Sequence, residues 1–324
     1  MSQIEILKSA LDREIEEHAY GQAPVELYEP IRYLMNLQGK RLRPLLTLLS
    51  AQLFTDRWEI ALKPAHAVEV FHNFTLMHDD IMDNAPLRRG SPTVHSKWNT
   101  NTAILSGDVM LVQAYELFLH APESVLKPVL KRFNRTAAEV CEGQQLDMNF
   151  ETRSEVSIAE YIEMIRLKTS VLLGYALELG ALMAGAEERA VKTLYHAGVN
   201  MGLGFQLKDD LLDVYGDPNR FGKQVGGDIL ANKKTFLYLK ALELADDQTR
   251  QELINLFSMP TQDSDAKIKK VTTIYNLLNV KFITEGLIKS YFDSAVDAIG
   301  SLPVPPEKRG QLLEFADYLM NRDK

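Results

Sequence analysis

The amino-acid sequence predicts an all-α chain, and three observations carry that reading. Apolar residues recur at helical spacing along most of its length. Alternating, β-branched runs bounded by tight turns are missing, so no sheet is needed. Proline and glycine are sparse and gather in a few places, at 21–24, 85–92, 216–227 and 302–306.

The elements follow in order. Ile4, Leu7, Leu11 and Ile15 open the chain with one apolar helical stripe. Long helices are predicted over about 58–82, 124–148, 158–184 and 189–214. Ser157 followed by Glu160 has the spacing of a capping box and starts the third of these. Residues 170–185 are apolar nearly all round, which implies central burial, a subunit interface, or both. The cluster at 302–306 sets off a short C-terminal helix over about 307–322. No repeat of fixed period and no low-complexity linker interrupts this pattern, so residues 1–324 read as a single all-helical domain.

Composition narrows the function classes. The 324 residues are 46% hydrophobic, enough for one large core or at most two domains. A net charge of −8 excludes a nucleic-acid surface, which needs a basic excess. Anions can still be bound through metal ions or a few placed cations. The one cysteine, Cys141, forbids an internal disulfide and points to a reducing, cytoplasmic setting. Its expected place is the core. Residues 1–17 carry many charges and no apolar run of signal-peptide length. No stretch reaches the roughly 20 apolar residues of a membrane span, so stable membrane insertion is not expected and a lipid substrate must come to the protein.

Two acidic clusters stand out. Asp79, Asp80 and Asp83 end a long apolar helix, and Asp79 and Asp83, four residues apart, leave the same face. Three carboxylates in one turn repel one another, and a helix C-terminus further disfavours them. A bound cation or a well-solvated helix end would relieve the strain. Oxygen-only ligands suit a hard ion such as magnesium, shared with substrate phosphates. The second cluster, Asp209, Asp210 and Asp213, repeats the spacing at the end of another apolar helix, with Gln206 on the same face. Gly198, Gly202 and Gly204 lie upstream, each costing a helix interior about 1 kcal/mol relative to alanine. They leave room for a bulky ligand or for a close helix. Two such clusters ending core helices are hard to explain as solvated ends. If the helices face each other, the carboxylates grip metals around a diphosphate.

Cations accompany the acidic motifs. Lys40, Arg41 and Arg43 precede a helix, and Arg88 and Arg89 follow the first cluster. Lys168 and Thr169 lie on the 158–184 segment. Lys223 and the pair Lys233 and Lys234 follow the second cluster. Arginine forks suit phosphate oxygens, and lysine supplies point charge.

These residues resemble the trans-isoprenyl diphosphate synthase, or polyprenyl synthetase, family. The matches run in family order: GKRLRP at 39–44, HDDIMD at 78–83, RRG at 88–90, LKTS at 167–170, FQLKDDLLD at 205–213, GKQVGGD at 222–228 and KKT at 233–235. The resemblance implies an all-α orthogonal helix bundle around a deep central cavity, normally a homodimer. It implies a trans-prenyltransferase joining isopentenyl diphosphate to an allylic diphosphate (dimethylallyl, geranyl or farnesyl). About three Mg2+ ions are implied per site. Carried over by position, Lys40, Arg43, His72 and Arg89 resemble the isopentenyl diphosphate site. Asp79, Asp83 and Asp209 resemble direct metal ligands, Asp213 a ligand acting through water, and Asp80 and Asp210 residues behind them. Arg88, Lys168, Lys223 and Lys233 resemble the clamp on the allylic diphosphate. Thr169 and Gln206 match residues facing the reacting carbon. The family glycine before Lys233 is Asn232 here, which makes that lysine the least secure match.

The implied chemistry is ionisation, condensation and elimination, with the departed diphosphate as base and no serine or cysteine nucleophile. Chain length depends on what blocks the growing tail. Phe74 lies about 7.5 Å deeper along the helix than Asp79, at about 1.5 Å per residue. With Thr75 beside it and no insertion in the aspartate motif, Phe74 resembles the stop of short-chain synthases. That pattern favours geranylgeranyl diphosphate, then farnesyl diphosphate, whereas Phe71 reads as core. Two alternatives stand beside this reading. A class I terpene cyclase shares the first motif but normally mixes Asn, Ser or Thr with Glu in the second. A non-catalytic partner subunit usually lacks one aspartate motif.

Overall fold

The computed structural model describes residues 3–37, 39–216, 225–258 and 263–321. Its described residues are almost entirely helical, as the apolar periodicity predicts. Two compact units are present. The first comprises Met1–Arg135, Tyr175–Tyr195 and Leu302–Leu312, and the second Thr136–Gly174, His196–Ser301 and Leu313–Lys324. No described helix is long and apolar enough to cross a membrane.

The first unit begins with α1 (Gln3–Glu17), α2 (Val25–Asn36) and α3 (Leu42–Gln52). A 3₁₀ turn, Trp58–Ala61, leads into α4 (Leu62–Met82). Residues 65–71 of α4 are buried without a break, polar His66 and Glu69 included. A helix buried on all sides needs neighbours on all sides, and α1, α2, α3 and α6 (Thr100–Phe118) pack on it. Between α4 and α6 lie the single turn of α5 (Val94–Lys97) and a hairpin. The side-chain oxygen of Asn99 caps α6 by accepting from the Thr102 N–H. Phe71, Phe118 and Phe133 form an aromatic knot with Tyr175, each ring fully buried. Burying each such ring contributes about 1.5–3 kcal/mol. The sequence assignment of Phe71 to the core agrees.

The hairpin is a departure from the sheet-free expectation. Leu87–Arg88 pairs antiparallel with Ser91–Pro92 through a two-residue turn. Both turn residues, Arg89 (φ 53°) and Gly90 (φ 77°), have positive φ, as two-residue hairpin turns require. Two residues per strand are too short to leave a period-2 signal in the sequence.

In the second unit, α8 (Ile158–Ile165) starts on the Ser157–Glu160 capping box anticipated from spacing, with both reciprocal bonds present. The predicted helix over 158–184 is not uniformly α. Residues Arg166–Ser170 form a π turn before α9 (Val171–Met183). Ser170 Oγ donates to the Ile165 carbonyl five residues back, at 3.2 Å. Such turns add a residue and re-aim side chains. The apolar α9 is buried within the chain itself.

The other long helices are α7 (Glu123–Thr152) and α10 (Glu188–Tyr215). Within the second unit, the α10 glycines serve close helix packing. A Cβ on Gly202 would meet Ser170 Cα at 2.5 Å, one on Gly198 the Leu173 oxygen at 2.6 Å, and one on Gly204 the Phe292 ring at 2.7 Å. A close helix, not a bulky ligand, occupies that space. Cys141 is exposed on α7, against the expectation of a core residue. It falls on the solvent face of an amphipathic helix, beside exposed Glu142. Among the described residues, six shorter helices follow: α11 (Gly227–Leu230), α12 (Phe236–Leu244), α13 (Asp247–Ser258), α14 (Ser264–Leu277), α15 (Val280–Gly300) and α16 (Pro306–Asn321).

Candidate active site

In the first unit, α4 delivers Asp79 and Asp80 in its last turn, and Asp83 is its C-cap. Asp80 is buried. Arg88 holds it with a fork: Nε lies 2.9 Å from both carboxylate oxygens and Nη2 lies 2.7 Å from Oδ1. Burial raises the Asp80 carboxyl, and the Arg88 guanidinium opposes that rise. Arg88 Nη2 also stands 4.0 Å from Asp79 Oδ2. Asp79 keeps partial exposure and Asp83 is exposed, so the outer pair of carboxylates faces solvent while the middle one is withdrawn.

The expected isopentenyl diphosphate residues also lie in this unit. Arg43 Nη1 and His72 Nε2 are 3.0 Å apart. His72 is held well below the usual imidazole range by burial and then by Arg43 and its neighbouring arginines, so it is neutral. Arg89 Nη1 donates to the Leu37 carbonyl at 3.3 Å. A Cβ on Gly39 would lie 2.7 Å from that guanidinium nitrogen, so Gly39 leaves room for it. The 39–44 and 88–90 motifs therefore meet, with Lys40 exposed at the edge. Arg41, cationic like its neighbours, has a different task. It donates to Glu69 Oε1 at 2.7 Å and to the Met35 carbonyl at 2.5 Å, and so anchors the loop. Phe74 is partly buried, with its ring 4.8 Å from His78 and 5.7 Å from Phe71. Thr75 bonds back to the His72 carbonyl at 2.8 Å.

In the second unit, the π turn presents Lys168 and Thr169. Gly143 of α7 packs on this turn, where a Cβ would fall 2.2 Å from Lys168 N. Lys168 Nζ donates to Asp147 Oδ2 at 2.6 Å. Thr169 Oγ1 donates to Gln206 Oε1 at 3.1 Å, and Gln206 Nε2 donates to Asp210 Oδ1 at 3.1 Å. The Tyr161 hydroxyl donates to the other oxygen of Asp210. Burial, then the nearby Asp228 charge, pushes the Asp210 carboxyl up to about 8. Asp209 and Asp213 stay partly exposed on either side of it.

Gly226 and Asp228 bond to Asp213. The Asp228 N–H donates to Asp213 Oδ2 at 3.0 Å, and the Gly226 N–H to the Asp213 carbonyl at 2.6 Å. Lys233 Nζ stands 3.9 Å from Asp228 Oδ1, whereas Lys234 Nζ is spent on the Phe150 carbonyl at 2.7 Å. Asn232 adopts φ 56°, the left-handed conformation that glycine favours and asparagine tolerates. The departure from the family glycine thus keeps the backbone turn. Lys223 lies outside the described residues. Asp147 and Asp228 were missed as participants. Asp228 ends the quoted 222–228 motif, but Asp147 sits alone on α7 with no spacing signal.

Comparison with known proteins gives the same direction. Residues 24–275 match the family model described as polyprenyl synthetase. The geranylgeranyl pyrophosphate synthase of Geoglobus acetivorans is 38% identical over 316 residues, covering 97% of this chain and 96% of its own. The geranylgeranyl diphosphate synthase of Methanosarcina mazei is 37% identical over 326 residues, covering 100% of this chain and 98% of its own. A crystal structure of a geranylgeranyl pyrophosphate synthase superposes with a TM-score of 0.95 at 46% identity, with 100% of both chains covered. On these grounds the chain belongs to the polyprenyl synthetase family, and it is an isoprenyl diphosphate synthase, a trans-prenyltransferase of a divalent-metal-dependent family that acts on isoprenoid diphosphates.

Proposed function

We propose that the enzyme condenses an allylic diphosphate with isopentenyl diphosphate, uses about three Mg2+ ions, and releases geranylgeranyl diphosphate. The observation that supports this most is common to both clusters: the middle aspartate is buried and occupied, and the outer two reach solvent. Asp79, Asp83, Asp209 and Asp213 offer carboxylate oxygens only, the donor set a hard divalent ion takes. Magnesium, when bound, supplies Lewis-acid withdrawal of charge from the leaving diphosphate.

The chain's own residues do the rest. Arg88, Lys168, Lys223 and Lys233 bind and orient the allylic diphosphate, and Lys40, Arg43, His72 and Arg89 bind the isopentenyl diphosphate. Neutral His72 beside Arg43 is an uncharged hydrogen-bonding group in that cationic set. Gln206 is fixed from both ends, by Thr169 and by Asp210, so its amide dipole is pre-oriented. Neither Thr169 nor Gln206 is a nucleophile that would trap an allylic cation. Phe74, with Thr75 beside it, limits the tail to twenty carbons. The chain acts as one catalytic domain in the cytoplasm.

A homodimer is part of this reading. Leu105 and Val112 on α6 and its C-cap Leu119, spaced by seven, are each 59% exposed, and a second copy would cover them. Two measurements test the proposal. Light scattering reports the dimer. Feeding dimethylallyl, geranyl or farnesyl diphosphate with isopentenyl diphosphate and Mg2+, then separating the dephosphorylated products, should show a twenty-carbon alcohol. Failure to consume isopentenyl diphosphate with any allylic partner would overturn the condensation. A farnesyl product would overturn only the assigned length.

A further inference from the structure

A third cluster of ligating side chains lies outside the aspartate motifs. Glu14 sits near the end of α1, His18 follows one turn later, and His66 lies on α4. One ligand atom from each lies within 4.8 Å of the others. We infer that Glu14, His18 and His66 form a separate site for one borderline divalent transition-metal ion, of the Zn2+ type, bound through two imidazoles and a carboxylate.

The argument starts from the His66 ring, which has no solvent exposure. Its Nε2 is 2.8 Å from the Tyr20 hydroxyl, and that hydroxyl is 3.3 Å from the Ile15 carbonyl oxygen. A carbonyl only accepts, so when the hydroxyl proton points to Ile15, Nε2–H donates to the Tyr20 oxygen, and this is the tautomer a metal on Nδ1 selects. That tautomer leaves a lone pair on Nδ1. This buried atom has no hydrogen-bond partner and faces Glu14 Oε1 at 3.7 Å. The gap is too long for a hydrogen bond, and in the tautomer with a lone pair on Nδ1 a cation between that lone pair and the carboxylate would satisfy both. Ligands bound to a tetrahedral ion at about 2.0–2.1 Å stand about 3.4 Å apart, close to the observed gap.

His18 completes the set. Its ring centroid is 4.9 Å from that of His66, and the ring is only partly exposed. Burial lowers His18 to about 4 and also lowers His66, so both rings are neutral at neutral pH, the state that binds a metal. The contact with His66 holds the Glu14 carboxyl below its usual range. Tyr20 is the outer partner that orients a ligating imidazole, as metal sites commonly require. Lys63, exposed and 3.5 Å from His120, is the adverse charge nearby. Imidazole donors favour zinc-like ions over magnesium, so this site and the aspartate clusters select different ions. A bound ion would tie the end of α1 to α4, the helix that ends in Asp79.

The test uses the full chain with excess Mg2+ to occupy the oxygen sites, and Co2+ and Zn2+ as probes. We expect one equivalent of Co2+ to give a visible absorption band of low-symmetry coordination, Zn2+ to displace it, and Zn2+ to raise the melting temperature. The band should persist in Asp79→Ala and vanish in His18→Ala and Glu14→Gln, both substitutions at partly exposed positions. Tyr20→Phe should weaken Zn2+ about tenfold. Absence of the band in the wild type, its loss in Asp79→Ala, or its survival in His18→Ala and Glu14→Gln would overturn the site.

Discussion

The two aspartate clusters share a spacing and differ in how each neutralises its buried middle residue. Asp80 is answered by a full charge, the Arg88 fork. Asp210 is answered by neutral donors, the Tyr161 hydroxyl and the Gln206 amide, and its carboxyl is raised to about 8. The motif therefore specifies the outer ligand pair, while the neighbourhood decides the electrostatics of the middle position. In the first cluster the middle residue holds the arginine proposed to bind the allylic diphosphate. In the second it holds the amide assigned to face the reacting carbon.

The largest expected effect breaks the symmetry the two clusters share. Asp79→Ala and Asp209→Ala should each lower kcat by about a thousandfold or more, the rate equivalent of several kcal/mol of lost metal stabilisation. Circular dichroism should show the helices intact. A variant that keeps near-normal turnover would remove its cluster from the metal site.

Substitution of the middle residues should then separate the clusters. Asp80→Asn leaves the Arg88 fork without its charge partner and should cost about 1–3 kcal/mol in denaturant unfolding. Asp210→Asn keeps acceptor and donor atoms where a protonated carboxyl already sits, and should cost less than about 1 kcal/mol near pH 7. Equal costs would contradict the contrast. The pH dependence follows with a definite sign. A carboxyl raised on folding holds its proton in the native state after the unfolded chain has lost it, near pH 3.9. The stability from Asp210 is therefore fully present below that value and is lost as pH rises through about 8. In metal-free buffer, Asp210→Asn should remove that part of the slope.

Much of this was legible in the sequence. The Ser157–Glu160 cap, the long helices and both acidic helix ends follow from spacing alone, because i,i+3 and i,i+4 relations fix a helix face. The π turn at Arg166–Ser170 was not legible, since the helix after it is apolar nearly all round and has no one-sided stripe whose phase an added residue could shift. Asp147 was invisible because its partner, Lys168, comes from another helix. The α10 glycines were ambiguous, as room for a ligand and room for a helix look alike in sequence, and Ser170 Cα beside Gly202 decides for the helix. Arg41 and Lys234 stand among the cations beside the motifs without an assigned ligand, and their bonds to Glu69 and Phe150 make them anchors.

Smaller effects sharpen the comparison further. Asp147→Ala should release Lys168 from the carboxylate at 2.6 Å and lower kcat by about tenfold, roughly 1.4 kcal/mol, with a weaker effect on the allylic KM; an unchanged kcat would make that ion pair merely structural. Phe74→Ala, on the helix of the first cluster, should lengthen the product with little change in rate, whereas unchanged length would show that this ring is not the stop.

Whether both sets of carboxylates serve a single diphosphate is decided by titrating a non-hydrolysable allylic diphosphate analogue, with Mg2+, into the wild type, Asp79→Ala, Asp209→Ala and the double variant. Shared duty predicts that either single change removes most of the metal-dependent affinity and that the second adds little. Two independent, additive losses, or full affinity retained in either single variant, would contradict it.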